Sequence, residues 1–232
     1  MSEEIVNFPI EEYHDNGRLR SKENWKDGRK DGLWETYDDN GQLMWKKNWK
    51  YGKLDGLHER YHVNGQLRFK HNYKDGKPDG LREYYHENGQ LWFKENWKDG
   101  KQEDGLYEDY YENGQLSFKG NLIDRKLDGL GEGYYTNGQL LSKENYKDGE
   151  RDGLSEFYHT NGQLGKRNNY KKGEIDGLRE VYYSNGKKMF KGNYKKGIPD
   201  GLPKIYDENG RVVTSEESLN LGDRIPLFMD EL

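Results

Sequence analysis

Acidic, amide and imidazole side chains recur along this chain at fixed spacing, and each series invites a chemical reading. Glu11, Glu35, Glu59, Glu83, Glu108, Glu132, Glu156 and Glu180 form the first. A carboxylate array could hold a cation or a basic partner. A catalytic pair, however, is needed once. A carboxylate repeated in register reads as a strand-centre side chain, its stem packed on its neighbours and its head bonded to the next block. Asn24, Asn48, Asn72, Asn96, Asn121, Asn145, Asn169 and Asn193 read the same way, as amides that satisfy turn or edge backbone groups. Asp27 with Asp31, Asp75 with Asp79, and Asp148 with Asp152 have a faint look of calcium loops. They lack the third spaced oxygen and the bidentate Glu of such a loop, and turn chemistry explains them. His14, His62, His86 and His159 share one position of the pattern. Zinc needs ligands converging within ~2.1 Å of one point, and adjacent members lie too far apart for that.

The remaining catalytic signatures are missing from the sequence. There is no Cys, hence no disulfide framework, thiolate metal site or cysteine nucleophile. Neither a Gly-x-x-x-x-Gly-Lys-Ser/Thr phosphate loop nor a Gly-x-Ser-x-Gly elbow occurs. Nothing assembles a nucleophile, a base and an orienter. The expectation is a protein that is not an enzyme and uses no cofactor or metal.

What positions these residues is a repeat. Asn-Gly occurs nine times, from Asn16-Gly17 to Asn209-Gly210, at intervals of 24 residues except for one of 25. In each block two β-favouring runs alternate with two turn signals, which predicts a continuous antiparallel meander. A three-residue loop at Asn-Gly pairs Tyr37 with Leu43 and Glu35 with Trp45. The same loop at the second turn pairs Trp49 with Lys53. That register gathers Leu33, Tyr37, Leu43, Trp45 and Trp49 on one face, here face A, which is expected to turn inward as the sheet coils. Tyr13, Tyr37, Tyr61, Tyr85, Tyr110, Tyr134, Tyr158, Tyr182 and Tyr206 make one column of it. A second aromatic column runs from Trp25 and Trp49 through Tyr73 and Trp97 to Tyr194.

The predicted class is therefore all-β: an elongated, single-layer, solenoid-like antiparallel meander of about nine two-stranded repeats, twisted and coiled. Residues 1–8 would lead in, 9–214 hold nine hairpin repeats, and 215–232 form a capping tail or a partner-binding peptide. This resolves a compositional puzzle. Only 31% of the 232 residues are hydrophobic and mean hydropathy is -1.34, near disordered chains, yet 14% are aromatic. Stacked neighbours need no single globular core.

The phrase Asp-Gly-Leu-x-Glu-x-Tyr-x-x-Asn-Gly-Gln-Leu, followed by Lys-x-Asn-Tyr-Lys-Asp-Gly-Lys, resembles the variant MORN repeat over about residues 9–214. Residues 79–100 match closely. In bacteria the repeat is typical of the YwqK-family antitoxin-like proteins. The resemblance implies an antitoxin or immunity protein that binds a toxin and neutralises it sterically.

Function should lie where residues vary while the frame stays fixed. On face B, opposite the tyrosines, Trp34, Met44, Arg60, Arg68, Arg82, Tyr84, Trp92 and Tyr107 come close together. Trp, Tyr, Arg and Met enrich protein interfaces, so these eight are the candidate partner-binding set. The partner is expected to be another protein, a basic toxin domain drawn by the acidic frame. Net charge is -5 and pI about 5.8, which speaks against nucleic acid and anionic membrane. A glycan or quaternary-ammonium binder, or a membrane tether, are the alternatives. No apolar run reaches the ~18 residues of a membrane helix. The start Met1-Ser2-Glu3-Glu4-Ile5 has no basic or apolar leader, so cytoplasmic localisation is expected. The extra residue Glu103, with Gly131 and Gly133, marks an irregularity that could shape a groove.

Overall fold

The computed structural model describes residues 9–213. The predicted lead-in and the tail from 215 lie outside the described residues. Twenty antiparallel strands, with no helix among the described residues, form an open meander in chain order. They run β1 Ile10–Tyr13, β2 Leu19–Lys26, β3 Arg29–Tyr37, β4 Leu43–Lys50, β5 Lys53–Tyr61, β6 Leu67–Lys74, β7 Lys77–Tyr85, β8 Leu91–Lys98, β9 Lys101–Gln102 and β10 Gly105–Tyr110. There follow β11 Leu116–Ile123, β12 Lys126–Leu127, β13 Gly129–Tyr134, β14 Leu140–Lys147, β15 Glu150–Tyr158, β16 Leu164–Lys171, β17 Glu174–Tyr182, β18 Lys188–Lys195, β19 Ile198–Pro199 and β20 Lys204–Ile205. Two compact units divide the chain. The first comprises residues up to Glu103 together with Asp109–Gly114, and the second comprises Asp104–Glu108 and the chain from Gln115.

The two turns of each block are built differently. At Asn-Gly, Gly41 N–H donates to the Asp38 carbonyl and Asp38 N–H to the Gln42 carbonyl. Asp39, Asn40 and Gly41 thus form the expected three-residue loop, with Gly41 at φ 87°, a conformation that favours glycine. Tyr37 pairs with Leu43 as expected. The second turn contradicts expectation: it has two residues, both at positive φ, as in Tyr51 (50°) and Gly52 (82°). Trp49 pairs with Leu54, not Lys53. This mirror-image turn follows the right-handed twist of the strands it joins, which is why Asp-Gly takes it.

Bulges then redistribute the faces. Directly after Tyr37↔Leu43 the ladder continues as Thr36↔Trp45 and Glu35↔Lys46, leaving Met44 over. The expected Glu35–Trp45 pair does not form. One extra residue inverts parity along the strand, so Trp45 shares a face with Thr36 and Trp34. Trp49 lies there too, opposite Gly32. Face A therefore keeps the Tyr, Leu and Glu columns together with Leu43, but both sets of tryptophans belong to face B.

Burial follows the rings. Ser21 (5% exposed), His71 (4%), Ser155 (0%), Asn168 (1%), Val181 (2%) and Phe190 (5%) all lie on face B. On face A the leucine column stays open, with Leu106 63% and Leu130 48% exposed. Face B, not face A, is thus the better-covered side. In the second unit its centre is the cross-strand pair Val181↔Phe190.

Polar groups tie each block to the next. Asn24, Asn48, Asn72 and Asn145 donate their amides to the carbonyls of Leu33, Leu57, Leu81 and Leu154. Asp31, Asp55, Asp79, Asp128 and Asp152 accept the backbone N–H of the following two-residue turn. Tyr hydroxyls donate to the Glu two residues before them, as Tyr61 does to Glu59 and Tyr158 to Glu156. Lysines and Arg167 from the adjacent strands pair with the same carboxylates. The Glu, Asn and Asp series are accordingly frame, as their recurrence implied.

The irregularity is filled rather than open. The single 25-residue interval coincides with the break between β9 and β10 and with the boundary of the units at Glu103. A Cβ on Gly131 would meet the Phe118 and Tyr146 rings at 3.0 Å, and one on Gly133 the Ser142 hydroxyl at 2.7 Å. The missing side chains make room for neighbouring rings, not for a groove.

Candidate binding face

Strands β2–β8 of the first unit put rings on face B, among them Trp45, Phe69 and Phe93 at 24-residue spacing, and these rings meet both within and between blocks. Trp34 meets Trp49 edge-on at 6.3 Å. Trp45 stacks on His58 at 5.3 Å, and Phe69 on His71 at 4.2 Å. Tyr84 stacks on Phe93 at 4.2 Å, and Phe93 meets the edge of Trp92. Offset and edge contacts of this kind contribute about 0.5–1.5 kcal/mol each beyond their buried area. They stand in for the aliphatic core that the first unit lacks.

Cations lie against the same rings. Lys30 Nζ is 4.2 Å from the Trp34 centroid and also faces Trp25 and Trp49. Lys47 lies between Trp34 and Trp45, at 4.4 and 4.5 Å. Arg60 covers Trp45 and Arg82 covers Trp97, both at 4.7 Å. Lys30 and Arg82 are neutralised by Glu23 and Glu95. Burial, with Lys30 nearby, holds the Lys47 ammonium below its usual pKa.

Two histidines are locked neutral within the stack. Burial, aided by Lys47 and Arg82, pushes His58 down to about 4. Burial, with Arg82 and His58 adding to it, pushes His71 to about 3. His71 Nδ1 meets the Arg82 guanidinium at 3.2 Å. Both nitrogens of His58, and the indole N–H of Trp34, Trp49 and Trp97, have no hydrogen-bond partner among the described residues.

Two grooves open on this face. Trp34, Met44, Trp45 and Lys47 line one with Glu12 and Arg20. The other, of about 640 Å³, is lined by Arg60, Arg68, Phe69, Tyr84, Trp92 and Phe93, with Glu87 and Glu112 from the loops. Of the eight residues expected to meet a partner, Trp34, Met44, Arg60, Arg68, Tyr84 and Trp92 line these grooves. Arg82 lies beneath, inside the stack. Tyr107 falls in the second unit, where it packs on Phe118 at 6.4 Å. The sequence reading missed Trp45, Phe69, Phe93 and His71 on this face, because it did not see the Met44-type bulge. The histidines of the loop column are structural: His14, His62, His86 and His159 each bond through Nε2 to the carbonyl of a Tyr in the next block.

The description "MORN repeat variant" matches residues 9–27, 30–51, 54–75, 78–99, 103–124, 127–148, 151–172 and 175–196. The chain belongs to the MORN repeat variant family. Eight MORN units are matched where nine blocks were expected. The ninth nonetheless repeats the loop geometry, with Gly210 N–H on the Asp207 carbonyl and Tyr206 bridged to Val212. No curated protein matches the chain. Among solved structures, a chain of "Crystal Structure of TcdB2-TccC3-Cdc42" is similar at 14% identity and TM-score 0.23, covering 88% of this chain. A chain of "Crystal Structure of TcdB2-TccC3" is similar at 13% identity and TM-score 0.19, covering 86%. This chain spans only 14% and 13% of the lengths of those two.

Proposed function

We propose that this MORN repeat protein is a non-enzymatic scaffold that binds another protein on face B of its first unit. The observation that carries the reading is the pair of grooves that gather exposed Trp92 and Met44 with Arg60 and Arg68 on a rigid ring stack. Hot spots of protein interfaces combine aromatic and arginine anchors on such preorganised supports. Repeated carboxylates and amides are consumed by the frame, which leaves binding rather than chemistry to the variable positions. The finer form of the proposal follows the YwqK resemblance: an antitoxin- or immunity-type protein that acts in the cytoplasm by covering its partner's working surface. The quaternary-ammonium alternative is less favoured, because Lys30, Lys47 and Arg60 already occupy the ring faces a cage would need.

The test is reconstitution of the purified full chain with the purified product of each gene adjacent to its own. The expected result is a stable complex by size-exclusion chromatography, weakened at least tenfold by Met44→Ala with Trp92→Ala, as loss of interface anchors implies. A complex indifferent to those substitutions, or none at all, overturns the reading.

A further inference from the structure

The groove across β5–β8 carries more chemical information than its anchors alone. Arg60 pairs across strands with Phe69, and Arg68 occupies the bulge of the following strand, so both guanidinium groups line one groove. The neighbouring face B cations are engaged: Arg82 of β7 bridges Glu95 at 3.4 Å, and Lys47 of the preceding strand β4 is held between two indoles. Among the described residues no carboxylate forms an ion pair with Arg60 or Arg68. Arg60 rests on the Trp45 ring, which fixes its plane and leaves its edge donors directed elsewhere. Two acidic residues of the Asn-Gly loops, Glu87 and Glu112, line the loop end of the same groove, their backbone carbonyls accepting the amides of Asn64 and Asn88.

The groove is therefore polar in a fixed sense, cationic on its strand floor and acidic at its loop rim, with aromatic walls between. We infer that it receives an acidic side chain of a partner protein, set next to an apolar one, with the partner's basic residue falling at the loop rim. A carboxylate would take the planar donors of Arg60 and Arg68, and the apolar neighbour would lie on Trp92 and Phe93. Single-stranded nucleic acid fits less well. Its evenly spaced phosphates would meet Glu87 and Glu112, and most ring faces of the groove are stacked on each other, as in Tyr84 on Phe93 and Phe69 on His71, which leaves Trp92 too little company for a run of bases. This inference rests on the proposed binding role and reverses the charge first expected of the partner, since the protein's overall acidity is not the charge of this floor.

Fluorescence anisotropy with the full-length protein tests it. The probes are a labelled peptide Phe-Glu-Phe-Glu-Lys, its charge-swapped counterpart Phe-Lys-Phe-Lys-Glu, and a short oligo-thymidylate. The first should bind, lose affinity with rising salt, and lose at least tenfold with Arg60→Glu and Arg68→Glu together. Circular dichroism of that variant should match the parent, and its thermal midpoint should fall only slightly, through loss of the Arg60 contact on Trp45, since neither arginine holds an ion pair of the frame. Arg60→Lys with Arg68→Lys, which keeps the charge, should restore part of the binding. Preference for the swapped peptide or the oligonucleotide, equal binding by the Glu variant, or no binding of the first peptide overturns the inference. Failure of this charge rule, with a partner complex still sensitive to Met44→Ala and Trp92→Ala, would leave the binding role standing and remove only its chemistry.

Discussion

At the scale of single residues, the first unit pays for its aromatic interior with polar atoms that find no partner. His58 stacks on Trp45 and touches Phe69 and Tyr73, yet both its nitrogens are unmatched. An unsatisfied buried group costs about 1–3 kcal/mol, whereas an apolar ring of similar shape costs nothing of that kind. His58→Phe should therefore raise the denaturation midpoint at pH 7. Its pH dependence should change as well. In the unfolded chain His58 takes a proton near 6.5, whereas in the folded state it refuses one until about 4. Protons thus favour the unfolded chain through that window, and stability is lost as pH falls from about 6.5 towards 4. His71 behaves alike, down to about 3. Urea titrations at pH 7 and pH 5, followed by tryptophan fluorescence, should show a smaller acid loss in His58→Phe than in the parent. An equal loss would place the sensitivity elsewhere.

At the scale of elements, each hairpin depends on a glycine that the sequence pattern marks but does not explain. Gly80 has φ 109°, and a Cβ there would sit 3.3 Å from the Cβ of Asn72, whose amide holds the Leu81 carbonyl. Gly80→Ala should cost roughly 1–2 kcal/mol from backbone strain alone, more than Asn72→Ala, which forfeits one hydrogen bond of about 1 kcal/mol. Chemical denaturation of the two variants checks the order. The strand and turn alternation was legible because Asn-Gly, Tyr and Leu recur in phase. The faces were not. The bulge residue is Met44 in one block, Arg68 in the next and Trp92 in the third, and no shared side chain announces it. Reading the second turn as a two-residue turn would not have sorted the faces, because Trp45 and Trp49 lie four residues apart on β4 and share a face; the bulge at Met44 moves them together. Most of the candidate residues keep face B despite that error because they precede the bulge or sit in it, whereas the rings beneath them lie beyond it.

At the scale of the molecule, each unit is a run of neighbours packed on neighbours, and stability should be graded along it. β1 is exposed at every residue, while β17 and β18 carry the buried Val181↔Phe190 pair. Hydrogen exchange should be fastest in β1 of the first unit, and within the second unit slowest in β17–β18. Uniform protection throughout each unit would instead indicate all-or-none opening. The links between blocks carry a further consequence. His14 and Asn16 both reach 23 residues ahead, to the carbonyls of Tyr37 and Asp39, and His62 and Asn64 span the same interval. Those bonds act as a ruler written into the backbone. Whole blocks can be duplicated or excised with every clasp finding its mate, whereas a shorter insertion is borne only where the chain can loop it out, as in the 25-residue block, where His86 and Asn88 still reach Tyr110 and Glu112, 24 residues ahead. Growth by copying one block is the evolutionary route such a ruler leaves open.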